Sequence, residues 1–141
     1  MPCLLDVNVL IALVLPQHVF HQAAHHWFPQ ARKRGFATSP ITQLGFLRLS
    51  VNPAISPVPL HVDQALEILS HFTRALEHRF WPDDIPCEEI IKPPSPSIGH
   101  KQLTDLYLVA LAHRHKGVLA TFDRRIATCV PDPSAVELIA S

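Results

Sequence analysis

No charge surplus, no paired cysteines and no long apolar run distinguish this sequence. Twelve basic residues face twelve acidic ones, so there is no bulk positive field to recruit nucleic acid and no acidic tail for basic partners. Any such role must rest on local sites. Cys3, Cys87 and Cys129 are odd in number, far apart and free of a C-x-x-C pair, which speaks against a disulfide framework and a structural zinc site. A reducing, cytoplasmic setting is expected. The longest early apolar run, Val7 to Leu15, is interrupted by Asn8, has no Lys or Arg before it and meets Pro16 instead of a small-residue cleavage site. It reads as no signal peptide, and it is too short to span a membrane. A P-loop and a G-x-G-x-x-G loop are both missing. Asp6-Val7-Asn8 lacks the second Asp that aspartyl phosphotransferases place two residues on, and no adjacent acidic pair follows the first strand as in receiver domains. What is present is apolar: Leu, Ile, Val and Phe make up 46 of 141 residues, well above the roughly one fifth below which chains stay disordered. The length fits one domain over residues 1–141, with no repeat or internal boundary.

Hydrophobic spacing then predicts the elements. Cys3-Leu4-Leu5 reads as a strand and Val7 to Leu15 as a helix. Phe20, Ala23, Ala24, Trp27, Phe28 and Ala31 share one helical face, with a kink expected at Pro29 and a stop at Gly35. Phe36-Ala37-Thr38 reads as a second strand. Ser39-Pro40 then supplies an N-cap and a first-turn proline for a helix carrying Leu44, Leu47 and Val51, which Asn52-Pro53 ends. Residues 53–59 hold three prolines and read as a loop. Val62, Ala65, Leu66, Leu69 and Phe72 repeat with helical period. Arg79-Phe80-Trp81 reads as a brief strand, and the five prolines between Pro82 and Gly99 predict a long loop. Leu103 to Lys116 reads as a buried helix capped by Gly117, Val118-Leu119-Ala120 as a buried strand ending at Thr121-Phe122-Asp123, and Val136 to Ala140 as a last strand. Strands alternating with helices predict an α/β domain with a largely parallel sheet.

In open α/β sheets the binding crevice lies outside the carboxyl ends of the strands. Asp6 and Asp123 fall there. Asp105 stands near the start of a helix whose next turns are apolar all round, and a buried carboxylate needs a cation or strong donors. Taken singly, each Asp also suits a helix cap or first turn. Taken together, three converging aspartates offer the hard oxygen ligands that suit Mg²⁺ or Mn²⁺ and phosphate-ester chemistry.

Four blocks now carry a resemblance: Leu4-Leu5-Asp6-Val7-Asn8-Val9-Leu10-Ile11-Ala12, Thr38-Ser39-Pro40-Ile41-Thr42-Gln43-Leu44-Gly45-Phe46-Leu47-Arg48, Thr104-Asp105-Leu106-Tyr107-Leu108 and Ala120-Thr121-Phe122-Asp123. In this order they resemble the PIN-domain ribonucleases of the VapC toxin type. The resemblance implies a PIN-like three-layer α/β domain, with a central sheet of four to five short strands flanked by helices. It further implies a Mg²⁺- or Mn²⁺-dependent endoribonuclease, the toxin of a toxin–antitoxin pair, often a homodimer and inhibited by a VapB-like antitoxin. Asp6, Asp105 and Asp123 carry over as metal ligands, with Asn8 and Thr121 orienting them. The alternative for Asn8 is a bond to local backbone.

One position departs from that pattern. Gln43 stands where the family commonly has an acidic residue; it can hold a metal-bound water through its carbonyl but adds no negative charge. A catalytically weakened RNA- or protein-binding module is therefore the rival reading. Asp83 and Asp84 could supply the missing carboxylate but read more simply as a solvated turn. Arg124 and Arg125, directly after Asp123, and Arg48, beyond Gln43, are the candidates for gripping RNA phosphates. His21 and His25 could chelate a transition metal at i and i+4, but they lack a third ligand and read as a solvated face. A metal-free ribonuclease using two of the ten histidines would leave the aspartates idle.

Overall fold

A computed structural model describes residues 1–90 and 99–141. Five parallel strands form one sheet: β1 (Cys3–Leu5), β2 (Phe36–Thr38), β3 (His78–Phe80), β4 (Val118–Thr121) and β5 (Val136–Leu138), in the spatial order β3-β2-β1-β4-β5. The order departs from β1 in both directions, toward β2 on one side and β4 on the other. A crevice therefore opens between the carboxyl ends of β1 and β4, where the connections diverge.

Helices cover both faces. α1 (Val7–Val14), α2 (His21–Arg34), α3 (Pro40–Ser50) and α4 (Val62–Thr73) pack on one face, α5 (Leu103–Arg114) and the short α6 (Arg124–Cys129) on the other. Strand alternation divides the side chains between two cores. Cys3 and Leu5 join Val9, Leu10, Trp27 and Phe46, while Leu4 and Leu119 join Leu106, Leu108, Leu111 and Ile126. Every strand residue of β1, β2 and β4 is buried, as expected of parallel strands covered on both sides. Replacing any of the fully buried leucines with Ala would cost about 2–5 kcal/mol.

Local chemistry accounts for the helix ends. Asp6 N-caps α1, and Ser39 with Thr42 forms a reciprocal capping box on α3 ahead of Pro40. These fit the preference of short oxygen-bearing side chains for unpaired first-turn N–H groups. His21 Nδ1 and His25 Nε2 donate to the carbonyls of Ala12 and Leu13, each at 2.7 Å. The two histidines are thus neither a chelate nor a merely solvated face. They satisfy orphan carbonyls at the C-terminal end of α1.

Several sequence expectations shift. α2 keeps its expected stop, running through Pro29 to Arg34 before Gly35, because the proline is exposed and the His25 carbonyl it leaves unpaired lies on an exposed turn. β3 begins one residue early, and Trp81 leaves the strand to pack against α5, stacked on His115 with centroids 4.8 Å apart. On α4, Ala65 and Leu69 are buried, whereas Val62 and Leu66 from the same apolar stripe are exposed. α6 was not anticipated, since six residues are too few to show a helical period. The loop expected over Pro82 to Gly99 contains a 3₁₀ turn at Cys87–Glu89, and its stretch 91–98 lies outside the described residues. No helix among the described residues is long and apolar enough to cross a membrane.

The end of α5 carries the clearest correction. Gly117 is not the left-handed residue; Lys116 is, with φ 59°. Gly117 is needed for proximity instead, because a Cβ there would sit 2.5 Å from the Pro2 carbonyl oxygen and 2.6 Å from Trp81 Cη2. Opposite responses are expected at the two neighbours. Gly117→Ala should destabilise by about 1–3 kcal/mol through overpacking, and Lys116→Gly should be neutral or stabilising by up to about 1 kcal/mol through relief of the left-handed penalty. Urea unfolding of both variants checks this, and a stable Gly117→Ala protein would refute the close approach.

Candidate active site

The carboxyl ends of β1 and β4 are adjacent because the strands pair in register, Leu5 beside Ala120. Asp6 follows β1 directly and Asp123 follows β4 by two residues. Thr121 connects them. Its hydroxyl donates to Asp6 Oδ2 at 2.8 Å and accepts the Asp123 N–H at 3.1 Å. The other Asp6 oxygen accepts the Val7 N–H at 2.8 Å, and the Asp6 N–H donates to the Ala120 carbonyl. Asp105, in the first turn of α5, reaches the same place from the opposite face of the sheet. All three aspartates line one cleft of ≈ 660 Å³.

The three carboxylates are in unlike states. Asp6 is only 5% exposed, and burial raises its pKa, with the bonds from Thr121 and Val7 opposing and Asp123 adding to the rise. Asp105 is pushed up to about 7, first by burial and then by the charges of Asp6 and Asp123, against a weaker pull from Arg125. Asp105 has no hydrogen-bond partner among the described residues. Burial also pushes Asp123 upward, but Arg125 more than offsets it and holds the carboxyl below its ordinary value. Arg125 donates to Asp123 Oδ1 through its backbone N–H at 2.9 Å and its Nε at 3.3 Å, and to Oδ2 through Nη2 at 3.2 Å. Among the described residues, no group of three or more His, Cys, Asp or Glu side chains is already arranged to hold a metal ion. The cleft is a concentration of negative charge, with one edge clamped by the chain's own cation.

The remaining sequence candidates divide. Asn8 and Arg48 line the cleft, Arg48 being exposed and without a carboxylate partner among the described residues. Gly45 also lines it. A Cβ at Gly45 would come within 2.5 Å of Val7 Cγ2, so glycine lets α3 approach α1 at the cleft wall. Gln43 is not brought to the cleft; its Nε2 donates to Thr38 Oγ1 at 2.9 Å, and that hydroxyl also pairs with His78 Nε2 at 2.7 Å. Arg124 is exposed, and Arg125 is committed to Asp123. Asp84 pairs with His115 at 3.3 Å, and neither it nor Asp83 lines the cleft. Sequence reasoning missed Thr104 and Asn52, which also line it. The i, i+4 relation of Arg48 and Asn52 across the end of α3 was the available signal.

Comparison with known proteins agrees on one family. The sequence model of the PIN domain matches residues 3–129. Ribonuclease VapC39 of Mycobacterium tuberculosis (strain H37Rv) is 43% identical over 128 residues, covering 90% of this chain and 92% of that protein. Ribonuclease VapC44 of the same strain is 41% identical over 133 residues, covering 93% of each. Among solved structures, a chain of VapBC2 from Rickettsia felis, bound to a DNA fragment from their promoter, is similar with TM-score 0.63 at 16% identity, covering 99% of this chain and 100% of that one. A chain of FitAcB from Neisseria gonorrhoeae is similar with TM-score 0.55 at 21% identity, covering 94% and 98%. The two structures support the fold.

The Asp105 environment has a consequence for stability. Its carboxyl holds a proton up to about pH 7 in the folded chain, against 3.8 ordinarily. Between these values the folded state binds more protons than the unfolded one, so this group's contribution to stability falls as pH rises through the window. Asp105→Asn should therefore melt higher than the parent at about pH 8 and alike at about pH 4. With solvent screening at this partly exposed carboxyl, the gain is about 1 kcal/mol. Thermal melts in chelator check it, and equal melting temperatures at both pH values would refute the raised pKa.

Proposed function

This chain belongs to the PIN-domain family, and on that premise we propose that it is a divalent-metal-dependent endoribonuclease of the VapC type, the toxin half of a toxin–antitoxin pair. The observation that carries the reading is the convergence of Asp6, Asp105 and Asp123, from three separate segments, on one cleft at the carboxyl ends of β1 and β4. Their chemistry fits a hard cation. The donors are all carboxylate oxygens, Asp105 lacks a hydrogen-bond partner among the described residues, and burial together with mutual repulsion raises its pKa. Such a set favours Mg²⁺ or Mn²⁺ over softer ions.

When bound, the ion supplies a water of lowered pKa and neutralises charge on the phosphoryl oxygens. The chain's own residues do the rest. Thr121 holds Asp6 in one orientation through Oδ2, while the Val7 N–H fixes Oδ1; supporting bonds of this kind keep ligands preorganised. Each Asp6 oxygen retains a lone pair for an ion. Arg125 pairs with Asp123 in the ion-free protein, and Asp123 Oδ2, which accepts a single bond, keeps a lone pair for an ion. The Arg125 guanidinium lies beside the cleft and can pair with an RNA phosphate, joined by the exposed Arg124 and by Arg48 on the cleft lining. Asn8, in the first turn of the helix that Asp6 caps, lines the cleft, which supports a role in orienting the cluster or its water. Gln43, bonded to Thr38, takes no direct part, and three aspartates suffice.

The partners follow the same reading. One comparison structure is of VapBC2, and an acidic cleft is complementary to a basic side chain of a VapB-like antitoxin competing with metal. Exposed Leu44 on α3 and Val62 and Leu66 on α4 offer apolar surface that a homodimer would cover. Free Cys3, Cys87 and Cys129 suit a cytoplasmic protein.

The test is cleavage of total cellular RNA by purified antitoxin-free protein with Mg²⁺, with Mn²⁺ and with chelator. Cleavage should require the ion and fall by at least roughly a hundredfold in Asp105→Asn. Cleavage that survives chelator, or an active Asp105→Asn enzyme, would refute the metal site. Gln43→Glu should give no gain. A large gain there would instead support the rival reading, a catalytically weakened binding module.

A further inference from the structure

Asn52 lines the cleft one helical turn beyond Arg48, and the aspartate chemistry gives it no role. Its side-chain Oδ1 accepts the Ala54 N–H at 2.9 Å. Its backbone is engaged as well, the N–H to Leu49 and the carbonyl from Ile55 and Ser56. Because a backbone N–H can pair only with the oxygen of a carboxamide, the Ala54 bond fixes which end of the Asn52 amide is which. The two Nδ2 donors are left without a partner among the described residues. Helix termination explains every bond Asn52 makes, but not why donors remain at the cleft. Beside it, Leu49 and Val51 make the lining apolar, and Arg48 is its cation.

Building on the nuclease reading above, we propose that this end of the cleft holds one unpaired nucleotide of a single-stranded RNA. Asn52 Nδ2 donates to a carbonyl oxygen of the base, and Arg48 pairs with the adjoining phosphate. Charge divides the cleft in this way: the aspartates repel phosphates not neutralised by metal, so a flanking phosphate goes to Arg48. The apolar stretch at Leu49 and Val51 suits the flat face of a base. The RNA must be single-stranded there, since sequence-specific recognition of RNA reads splayed-out bases through their exposed edges. A pair of donors is best matched by an edge of acceptors alone. Uracil presents two carbonyl oxygens, whereas the N7 acceptor of adenine stands beside its N6 amino donor, which opposes the second Nδ2–H.

The experiment is fluorescence anisotropy with short oligo(U) and oligo(A), using Asp105→Asn protein to prevent turnover. The expected parent binds oligo(U) more tightly. Asn52→Asp and Asn52→Ser both keep an oxygen to accept the Ala54 N–H, so the turn is retained while the amide donors are lost. Each should lower the oligo(U)/oligo(A) affinity ratio, by roughly tenfold for a directed hydrogen bond to a base edge. The ratio cancels the general repulsion that the new Asp adds. Arg48→Gln should weaken both oligonucleotides alike and leave the ratio unchanged. If the parent does not discriminate, or neither Asn52 variant changes the ratio while RNA still binds, the Asn52 assignment is overturned and the nuclease reading stands. An Arg48→Gln protein that binds both RNAs as the parent does overturns the phosphate contact. If the parent binds no RNA at all, both readings fall.

Discussion

The Thr121 hydroxyl is the small group on which the cleft depends. It is fully buried at the end of β4, donates to Asp6 and accepts from the Asp123 backbone. One side chain thereby joins the ends of two adjacent strands, holding Asp6 by its carboxylate and Asp123 by its backbone. A buried carboxylate without such a donor would be costly to keep. With it, β1 and β4 can end in acids at the point where the sheet reverses its connection order, and the pairing of Leu5 with Ala120 becomes the ruler that sets their relative height. The rest of the fold holds that ruler still. Two apolar cores, one on each face, enclose strands only three or four residues long.

The cost of the arrangement appears at Asp105. α5 is buried from Leu106 to Ala112, which anchors its first turn and keeps Asp105 on the cleft with Asp6 and Asp123. Burial first, and then that crowding, lifts its pKa to about 7. Arg125 relieves the crowding only at Asp123. Carboxyl groups whose pKa is shifted by burial and by one another in a cleft are a mark of functional sites. Neutral composition overall is compatible with such a site, because the effective charges are local.

Much of the architecture was legible in the sequence. β1, β2 and β4 are short apolar runs that end at polar residues, and Ser39-Pro40 announced the start of α3. Periodicity located the long helices because each buries a continuous stripe. It failed where a segment was too short or where the partner, not the pattern, decided. α6 is one such case. Trp81 is another: its aromatic character suits a strand, but the space over Gly117 and His115 draws it out of β3. His21 and His25 had the spacing of a solvated or chelating pair, and only the proximity of the end of α1 made them carbonyl donors.

The same division holds for the site. Sequence alone determined that three aspartates lie at strand ends and a helix start, because those positions are set by local apolar runs and their polar terminators. Tertiary structure decided what each became. Asp6 is held by Thr121, Asp105 is left repelled and without a donor among the described residues, and Asp123 is taken by Arg125. It also turned Gln43 toward Thr38 and left Asn52 with its donors at the cleft. The reason is physical: a side chain's charge state and partners depend on groups brought within a few ångströms by packing, and sequence separation carries no record of that distance.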